Sequence, residues 1–399
     1  MASKNFVIQE ISEKQAEILN KYFIAENESF DFEGCWLRNQ RPENANKSGY
    51  VDESTQRRRY VHFYDSYVDE VFDDKHHLAL SKYYLYVTNT LPQEEIDAYF
   101  GKILDALKIG GFEKMAENRY LSKSGTEVII NFYDNHPKNT AEFPKNYKSL
   151  DIVVCSRGYD YAEIQNRMWN LSKKMYRMPD KRGNPTYVND MKEILPYLPA
   201  QVEMGCGPSI NANIPPLYEM HETYKVQNHI TGKFYFADQD TLLFDVISNE
   251  NEMRKKFAKV PLACISAELT DGYKKFGELY KKGYFKGIVF NNNFDRLVKR
   301  MDIPEKILRI YDINDYIASC NFEPDVKSLV CMGCHADRRQ VQRQARAKGL
   351  KIIFIDPEGF FGKDGFEPYP IEGPRDEDII LKMTFEEAMD KLGEMLNVK

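Results

Sequence analysis

The sequence predicts a doubly wound α/β domain with a parallel sheet, preceded by a smaller α+β domain. In the C-terminal half, short and wholly apolar segments alternate with helical patterns, and strands buried on both faces are typical of parallel sheets. A glycine-rich turn directly follows the first of these segments, at the strand end where doubly wound sheets bind ligands. We therefore predict two domains, at residues 1–180 and 186–399, joined by the turn-rich linker Pro179–Pro185.

The N-terminal domain shows the order strand, helix, three strands and helix. The strands are predicted at Lys82–Asn89, Phe112–Leu121, Thr126–Tyr133 and Ser149–Ser156, and the helices at Pro92–Ile109 and Tyr161–Met178. This order favours an antiparallel sheet. Before it, a helical pattern covers Glu10–Ala25, and the polar stretch 38–59 is predicted to be a loop. Nothing in this domain has the spacing of a catalytic motif, so its role is left open.

The C-terminal domain is predicted from apolar strands and amphipathic helices. Its strands are expected at Gln201–Met204, Phe285–Phe290, the beginning of 328–335, and Lys351–Ile355. Its helices are expected at Asp190–Leu195, Thr270–Lys282, Asp337–Lys348 and Thr384–Leu396. Pro196 should end the first of these helices, because proline lacks an N–H donor and clashes with the preceding turn.

Charge and composition narrow the classes of partner. The net charge of −6 argues against a general nucleic-acid binder, because such proteins neutralise phosphates with excess Lys and Arg. The basic runs 57–59 and 338–348 are therefore interpreted as solvated surface. There is no apolar stretch long enough to span a membrane and no secretion signal, and the seven scattered cysteines fit reduced thiols. We expect a cytoplasmic protein that binds neither nucleic acid nor membrane; assembly into a homo-oligomer is left open.

The first candidate motif is the run MGCGPSINANIPP at 204–216. Glycines at 205 and 207 allow backbone N–H groups to approach a diphosphate, although a tight strand-to-helix turn would explain them as well. The run resembles, without a gap, the signature Gly-Ala-Gly-x-Ser-x-x-Ala-Gly-Ile-Pro of the sirtuin family. The matching positions are Gly205, Gly207, Ser209, Ala212, Ile214 and Pro215. Asn213 replaces a glycine of the signature, and Asn tolerates a positive φ better than most residues.

The second motif, IVFNNNFDRL at 288–297, ends another predicted strand. It resembles the sirtuin run Val-Val-Thr-Gln-Asn-Ile-Asp-Gly-Leu, with Asn293 and Asp295 on the family's Asn and Asp. In the family these two residues lie against the nicotinamide and its ribose, so the resemblance implies the same here, with Asn291 as a further cofactor contact. The alternative is that the asparagines merely end a strand and begin a helix. Their position after the first motif favours the binding interpretation.

The third motif combines the strand and turn Ser328–His335 with the strand Lys351–Asp356. In sirtuins a Gly-Thr-Ser turn and a strand ending in Ile-Asn bind the adenosine side of the cofactor. Here Gly333 matches the Gly, His335 replaces the Ser, and Asp356 replaces the Asn; a carboxylate can accept both ribose hydroxyls. The same segment contains Cys-x-x-Cys-His, the haem-attachment motif, which we reject because it ends a predicted buried strand. No second Cys-x-x-Cys pair exists for zinc, so no metal is expected.

The resemblance covers residues 190–399 and implies a small-molecule nucleotide, NAD, as substrate or ligand. The implied cofactor-binding residues are Gly205, Cys206, Gly207, Ser209, Asn213, Asn291, Gly333, His335 and Asp356. Two family features are missing. Tyr311 stands at the distance of the catalytic His, and Tyr, with an ordinary pKa of about 10, is a poor base at neutral pH. The zinc module is absent as well, so lysine deacylation is not expected.

Three hypotheses remain open. The first is an NAD-consuming enzyme that cleaves the nicotinamide–ribose bond, by hydrolysis or ADP-ribosyl transfer, with Asn293, Asp295 and Tyr311 as catalytic residues. A carboxylate can stabilise the cationic ribosyl species formed during such a cleavage. The second is a non-catalytic sensor of NAD or ADP-ribose, and the third is a related-fold enzyme with another substrate. The retained Asn and Asp favour the first hypothesis, whereas the missing His and zinc module favour the others. Stand-ins for the missing base are His221, His229 and His335.

Overall fold

The computed structural model describes residues 6–24, 30–37, 51–52, 57–134, 147–156, 160–166, 181–215, 239–308, 317–337, 339–362 and 365–398. The chain divides into two compact units. The first consists of residues 1–178, 219–229 and 233–265, and the second of residues 179–218, 230–232 and 266–399. Residues 239–265 thus belong to the first unit, although they lie within the range predicted for the second domain.

The first unit is built on an antiparallel sheet. Its strands are β1 (Phe6–Ile11), β2 (Phe30–Leu37), β3 (Val51–Asp52), β4 (Arg57–Phe72), β5 (Lys75–Pro92), β6 (Glu113–Ala116), β7 (Arg119–Leu121), β8 (Thr126–Tyr133) and β9 (Tyr147–Ser156). Their order is β2-β4-β5-β9-β8-β7-β6, with β1 paired to β5 and β3 to β4. Every one of these pairs is antiparallel, as the order of the sequence signals predicted.

The α-helices of the described residues follow in chain order. They are α1 (Glu13–Leu19), α2 (Gln93–Ile109), α3 (Gly207–Ile210), α4 (Gln239–Ser248), α5 (Glu250–Ser266), α6 (Asp271–Lys281), α7 (Val341–Ala347) and α8 (Phe385–Met395). Residues 161–166 are helical too. None of the helices among these described residues is long and apolar enough to cross a membrane.

Several first-unit predictions are confirmed, and others are wrong. Strand β8 and helix α2 have the predicted bounds to within one residue. The single strand predicted at 112–121 is a hairpin of β6 and β7. The loop predicted at 38–59 is wrong at Val51–Asp52, which form β3, and at its end, where β4 begins at Arg57. Strands β4 and β5 are joined through Asp73 and Asp74, which both have positive φ, the conformation that tight hairpin turns require. Residues 38–50 and 167–178 lie outside the described ranges.

The second unit contains a parallel sheet. Its strands are β10 (Thr186–Val188), β11 (Ala200–Met204), β12 (Val289–Asn291), β13 (Glu305–Ile307), β14 (Ser328–Met332), β15 (Lys351–Ile355) and β18 (Ile379–Leu381), and a separate hairpin is formed by β16 (Gly359–Gly362) and β17 (Gly365–Pro368). The sheet order is β10-β18-β15-β14-β11-β12-β13, with all neighbours parallel. The strands that follow β11 in the chain, β12 and β13, lie on one side of it in the sheet. The later strands β14, β15 and β18 lie on its other side. The strand order therefore reverses between β11 and β14.

Helices cover both faces of this sheet. On one face, Val341 and Ala345 of α7 belong to a buried cluster with Cys331 of β14 and other strand residues. On the opposite face, the Tyr273 hydroxyl of α6 lies 3.5 Å from the Met204 sulfur. The ring of Tyr273 also packs against Phe385 of α8, with ring centroids 5.1 Å apart. This arrangement confirms the predicted doubly wound α/β fold.

Most second-unit elements appear where the sequence predicts them. Strand β15 matches its prediction, and β11 begins one residue earlier. Helices α6 and α8 follow Thr270 and Thr384, whose hydroxyls cap the first turns as Thr commonly does. The helix predicted at 190–195 is a 3₁₀ helix, Met191–Tyr197, and includes Pro196. Strand β12 is shorter than predicted, because it begins only after Gly287, which has a φ of +72°.

Candidate functional site

Two backbone turns meet at the carboxyl ends of the neighbouring strands β11 and β14. The first turn begins at Gly205, whose N–H donates to the Met332 carbonyl oxygen at 2.8 Å. The second begins at Gly333, which has a φ of +63°. A Cβ atom on Gly333 would lie 2.7 Å from the Gly207 Cα atom. The turns therefore pack backbone against backbone, at the position where doubly wound sheets form their ligand crevice.

This packing gives the glycines a structural role. A Cβ atom on Gly205 would lie 2.7 Å from the Gly333 carbonyl carbon, and one on Gly207 would lie 3.0 Å from the Gly333 Cα atom. We predicted that Gly205 and Gly207 allow a diphosphate to approach. The second turn instead occupies the space beside their missing Cβ atoms, so the glycines alone do not indicate a phosphate site.

Three predicted site residues form one hydrogen-bonded network beside the first turn. The Asn293 Nδ2 group donates to the Gly205 carbonyl oxygen at 2.5 Å and to Ser209 Oγ at 3.2 Å. The Ser209 hydroxyl donates to Asp295 Oδ2 at 2.6 Å. The structure thus brings together residues from both of the first two motifs, although 84 positions separate Asn293 from Ser209.

The partners of Asn293 fix the orientation of its carboxamide. A backbone carbonyl only accepts hydrogen bonds, so the group facing Gly205 must be the NH₂ end of Asn293. The carboxamide oxygen is therefore the other end of a half-buried side chain. This arrangement presents a fixed hydrogen-bond acceptor beside the glycine turn.

Asp295 lies behind Ser209. Its side chain is buried, and the residue is 2 % exposed. Burial raises the pKa of Asp295, whereas the Ser209 hydroxyl and the Leu297 amide, which donates to Oδ1 at 2.9 Å, lower it. We predicted Asp295 as a catalytic residue. In the structure its Oδ2 atom accepts from the Ser209 hydroxyl, and the catalytic role stays a prediction.

Asn291 belongs to the interior and not to the crevice. It is fully buried, its Nδ2 group donates to Glu305 at 2.8 Å, and its Oδ1 atom accepts from the Asn293 amide at 2.9 Å. Glu305 also forms an ion pair with Arg296 at 3.3 Å. The predicted cofactor contact of Asn291 is thus replaced by support for the loop that carries Asn293.

The remaining predicted residues of the first motif lie on its surface. Cys206 is half-buried and directly precedes α3. Asn213 is exposed and has a φ of +60°, which confirms the positive φ expected where the signature has glycine. Neither position is drawn into the Asn293 network.

His335 and Asp356 pair with each other instead of standing apart. His335 Nε2 lies 3.0 Å from Asp356 Oδ2, and the imidazole stacks flat on the Tyr369 ring, with centroids 3.7 Å apart. Asp356 Oδ1 accepts from the Glu358 amide at 2.6 Å. Asp356 is 2 % exposed, and each of its carboxylate oxygens contacts one protein group. Its contact with ribose hydroxyls stays a prediction.

Glu203 is a functional candidate that the motifs did not indicate. It lies in β11, one position before the strand ends, and is 1 % exposed. Burial, and secondarily Asp337, raises the pKa of Glu203 to about 7. A signal was present in the sequence, since Glu is almost never fully buried unless it has partners, and here it interrupts a segment that is otherwise uncharged.

Three predicted residues lie outside the described ranges. These are Tyr311, His221 and His229. The catalytic role predicted for Tyr311 therefore stays a prediction, as do the roles of two of the three histidines offered as stand-ins for the missing catalytic His. The third stand-in, His335, is the one paired with Asp356.

No protein-family model matches this sequence, and a comparison with curated proteins gives no match. Among solved structures, a Sir2 mutant with a p53 peptide and NAD is 16% identical, covers 53% of this chain and 100% of its own, and has a TM-score of 0.35. A triple mutant of a Sir2 homologue with 2′-O-acetyl ADP-ribose is also 16% identical, covers 50% of this chain and 91% of its own, and has a TM-score of 0.32. A mutant of a Sir2 homologue with ADP-ribose is 14% identical, covers 52% of this chain and 98% of its own, and has a TM-score of 0.34. The fold assignment itself comes from the strand order of the sheet.

Proposed function

We propose that the second unit binds a dinucleotide of the NAD type at the carboxyl ends of β11 and β14 and cleaves its nicotinamide–ribose bond. One observation carries the proposal: Asn293, Ser209 and Asp295 form a single network beside the glycine turn, at the reversal of strand order. The sequence resemblance of both motifs to the sirtuin signature supports NAD as the ligand.

In the proposed reaction the Asn293 carboxamide oxygen accepts a hydrogen bond from the attacking water. The bond between the ribose C1′ carbon and the nicotinamide nitrogen breaks, and its electron pair leaves with neutral nicotinamide. Water adds to C1′ and loses one proton to the solvent, which leaves ADP-ribose. Asp295 supplies negative charge behind Ser209, where it opposes the positive charge that develops on the ribose.

A second function, binding of NAD or ADP-ribose without cleavage, is favoured by the burial of Asp295. Its carboxylate accepts from Ser209 and Leu297 and is not exposed to a ligand. In this case the network holds Asn293 for recognition only. The first unit would then carry the response to the ligand.

The test is to incubate the purified full chain with NAD and to measure free nicotinamide by chromatography. Release that is lost in Asn293→Ala and in Asp295→Ala supports the enzyme. Asn118→Ala is a matched control, since Asn118 lies in the first unit and pairs there with Asn131. Thermal stabilisation by NAD without nicotinamide release supports the binder. The absence of both signals would overturn the proposal and favour a different substrate.

A further inference from the structure

Glu203 holds the carboxamide of Asn292, an exposed residue that directly follows β12. Glu203 Oε1 accepts from Asn292 Nδ2 at 3.1 Å. The same Nδ2 group lies 3.3 Å from the Met204 carbonyl oxygen, which fixes it as the NH₂ end. Asn292 is nevertheless an exposed residue, so its oxygen end lies toward the surface. Asn292 and Asn293 are thus anchored by their NH₂ ends to the two sides of the same turn.

The two oxygens of Glu203 have unequal surroundings. Oε2 accepts from Gln342 Nε2 at 3.0 Å and from the Cys331 thiol at 3.5 Å. Among the described residues, Oε1 has Asn292 as its donor. A proton taken up by the carboxylate therefore goes to Oε1, where one donor must give way instead of two. The NH₂ end of Asn292 is the group that a proton at this position displaces.

The groups around Glu203 leave it as the one that changes charge. Burial raises the pKa of the Cys331 and Cys334 thiols well above the ordinary range, so both stay protonated. Burial, followed by Glu203, raises the pKa of Cys320 to about 12. Asp337, in the loop before α7, accepts from the Gln342 and Arg343 amides at 3.1 and 2.9 Å, which favours its ionised form. The negative charge of Asp337 in turn favours protonation of Glu203.

We infer that Glu203 is a proton-dependent positioning residue of the nucleotide site. Ionised Glu203 holds Asn292 with its carboxamide oxygen toward the ligand, and protonated Glu203 releases it. The inference rests on the proposed function, since it makes dinucleotide binding stronger above neutral pH than below it. Glu203 acts through Asn292 and does not itself touch the ligand.

The test is calorimetric titration of the full chain with NAD between about pH 5.5 and about pH 8.5, a range that brackets the ionisation of Glu203. The wild type should bind on the order of tenfold more tightly at the upper end, the equivalent of one lost hydrogen bond at the lower end. Glu203→Gln should show the same affinity throughout. The matched control Glu305→Gln removes another buried carboxylate of this unit and should keep the pH dependence, whatever its absolute affinity.

A second readout does not depend on NAD. The infrared absorption of protonated carboxyl groups should decline across the same pH range in the wild type, and the component that belongs to Glu203 should be missing from the difference spectrum of Glu203→Gln. A pH dependence that persists in Glu203→Gln assigns it to another group, such as His335, and overturns the inference. Binding that is equal at all pH values in the wild type overturns it too. If NAD binds at no pH while the infrared signal titrates, the proposed function has failed, and Glu203 remains a proton-binding group without it.

Discussion

Replacing Gly333 with Ala tests whether the two turns are held by backbone packing. Gly333 has a φ of +63°, and a left-handed backbone costs a non-glycine residue about 1–2 kcal/mol. The added Cβ atom would lie 2.7 Å from both the Cα and the N atoms of Gly207. These are backbone atoms that no rotamer change can move, and overpacking of this kind costs about 1–3 kcal/mol. Together the two effects predict a loss of about 2–5 kcal/mol in the free energy of unfolding.

Gly349→Ala is the matched control for this prediction. Gly349 has a φ of +78°, but a Cβ atom there would meet nothing within 4 Å. Its replacement should therefore show the cost of the left-handed backbone alone, about 1–2 kcal/mol. Urea unfolding of both variants, followed by far-ultraviolet circular dichroism, gives the comparison. Equal losses in the two variants would refute the packing of one turn against the other.

Further predictions concern single residues. Because Glu203 keeps its proton in the folded protein up to about pH 7 and an unfolded Glu releases it near pH 4.3, the contribution of Glu203 to the unfolding free energy should fall by about 4 kcal/mol as pH rises through this interval. Glu203→Gln should abolish that fall; a parallel fall in the variant would contradict the assignment. Asn213 has a φ of +60°, so in urea unfolding Asn213→Gly should leave the free energy of unfolding nearly unchanged, whereas Asn213→Ala should lower it by about 1 kcal/mol. A larger loss in Asn213→Gly than in Asn213→Ala would exclude the left-handed backbone. In the first unit, Arg254→Met leaves Glu250 buried without its ion-pair partner and should lower the melting temperature, with a loss of about 3 kcal/mol. An unchanged melting temperature would show that the hydroxyl groups of Tyr83 and Thr126, which also donate to Glu250, suffice.

The fold was predictable where elements are long or uniformly apolar. Strand β15 is apolar after Lys351, β11 leads directly into the glycine turn although it contains Gln201 and Glu203, and α6 and α8 carry both a helical period and a Thr cap. Strands β10, β13 and β18 were missed because each has three residues, too few to show a period. Their positions follow from pairing with neighbours that are distant in sequence, which no local pattern records.

The site was only partly predictable for a related reason. The motifs identified Ser209, Asn293 and Asp295, but not which of them faces the crevice. Burial of Asp295 behind Ser209 depends on the way β12 lies beside β11. Glu203 was missed because its donors Asn292 and Gln342 are 89 and 139 positions away. The pairing of His335 with Asp356 likewise joins two turns that the sequence suggested as separate ligand contacts.

The most direct measurement of the central claim is NAD binding and nicotinamide release by Asn293→Asp. This substitution keeps the shape of Asn293 but removes the NH₂ donor that holds Gly205 and Ser209, and it places a carboxylate against a carbonyl oxygen. We predict that the wild type binds NAD and releases nicotinamide and that Asn293→Asp does neither. The control Asn118→Asp should behave as the wild type does. Wild-type activity that survives in Asn293→Asp would place the site elsewhere in the molecule.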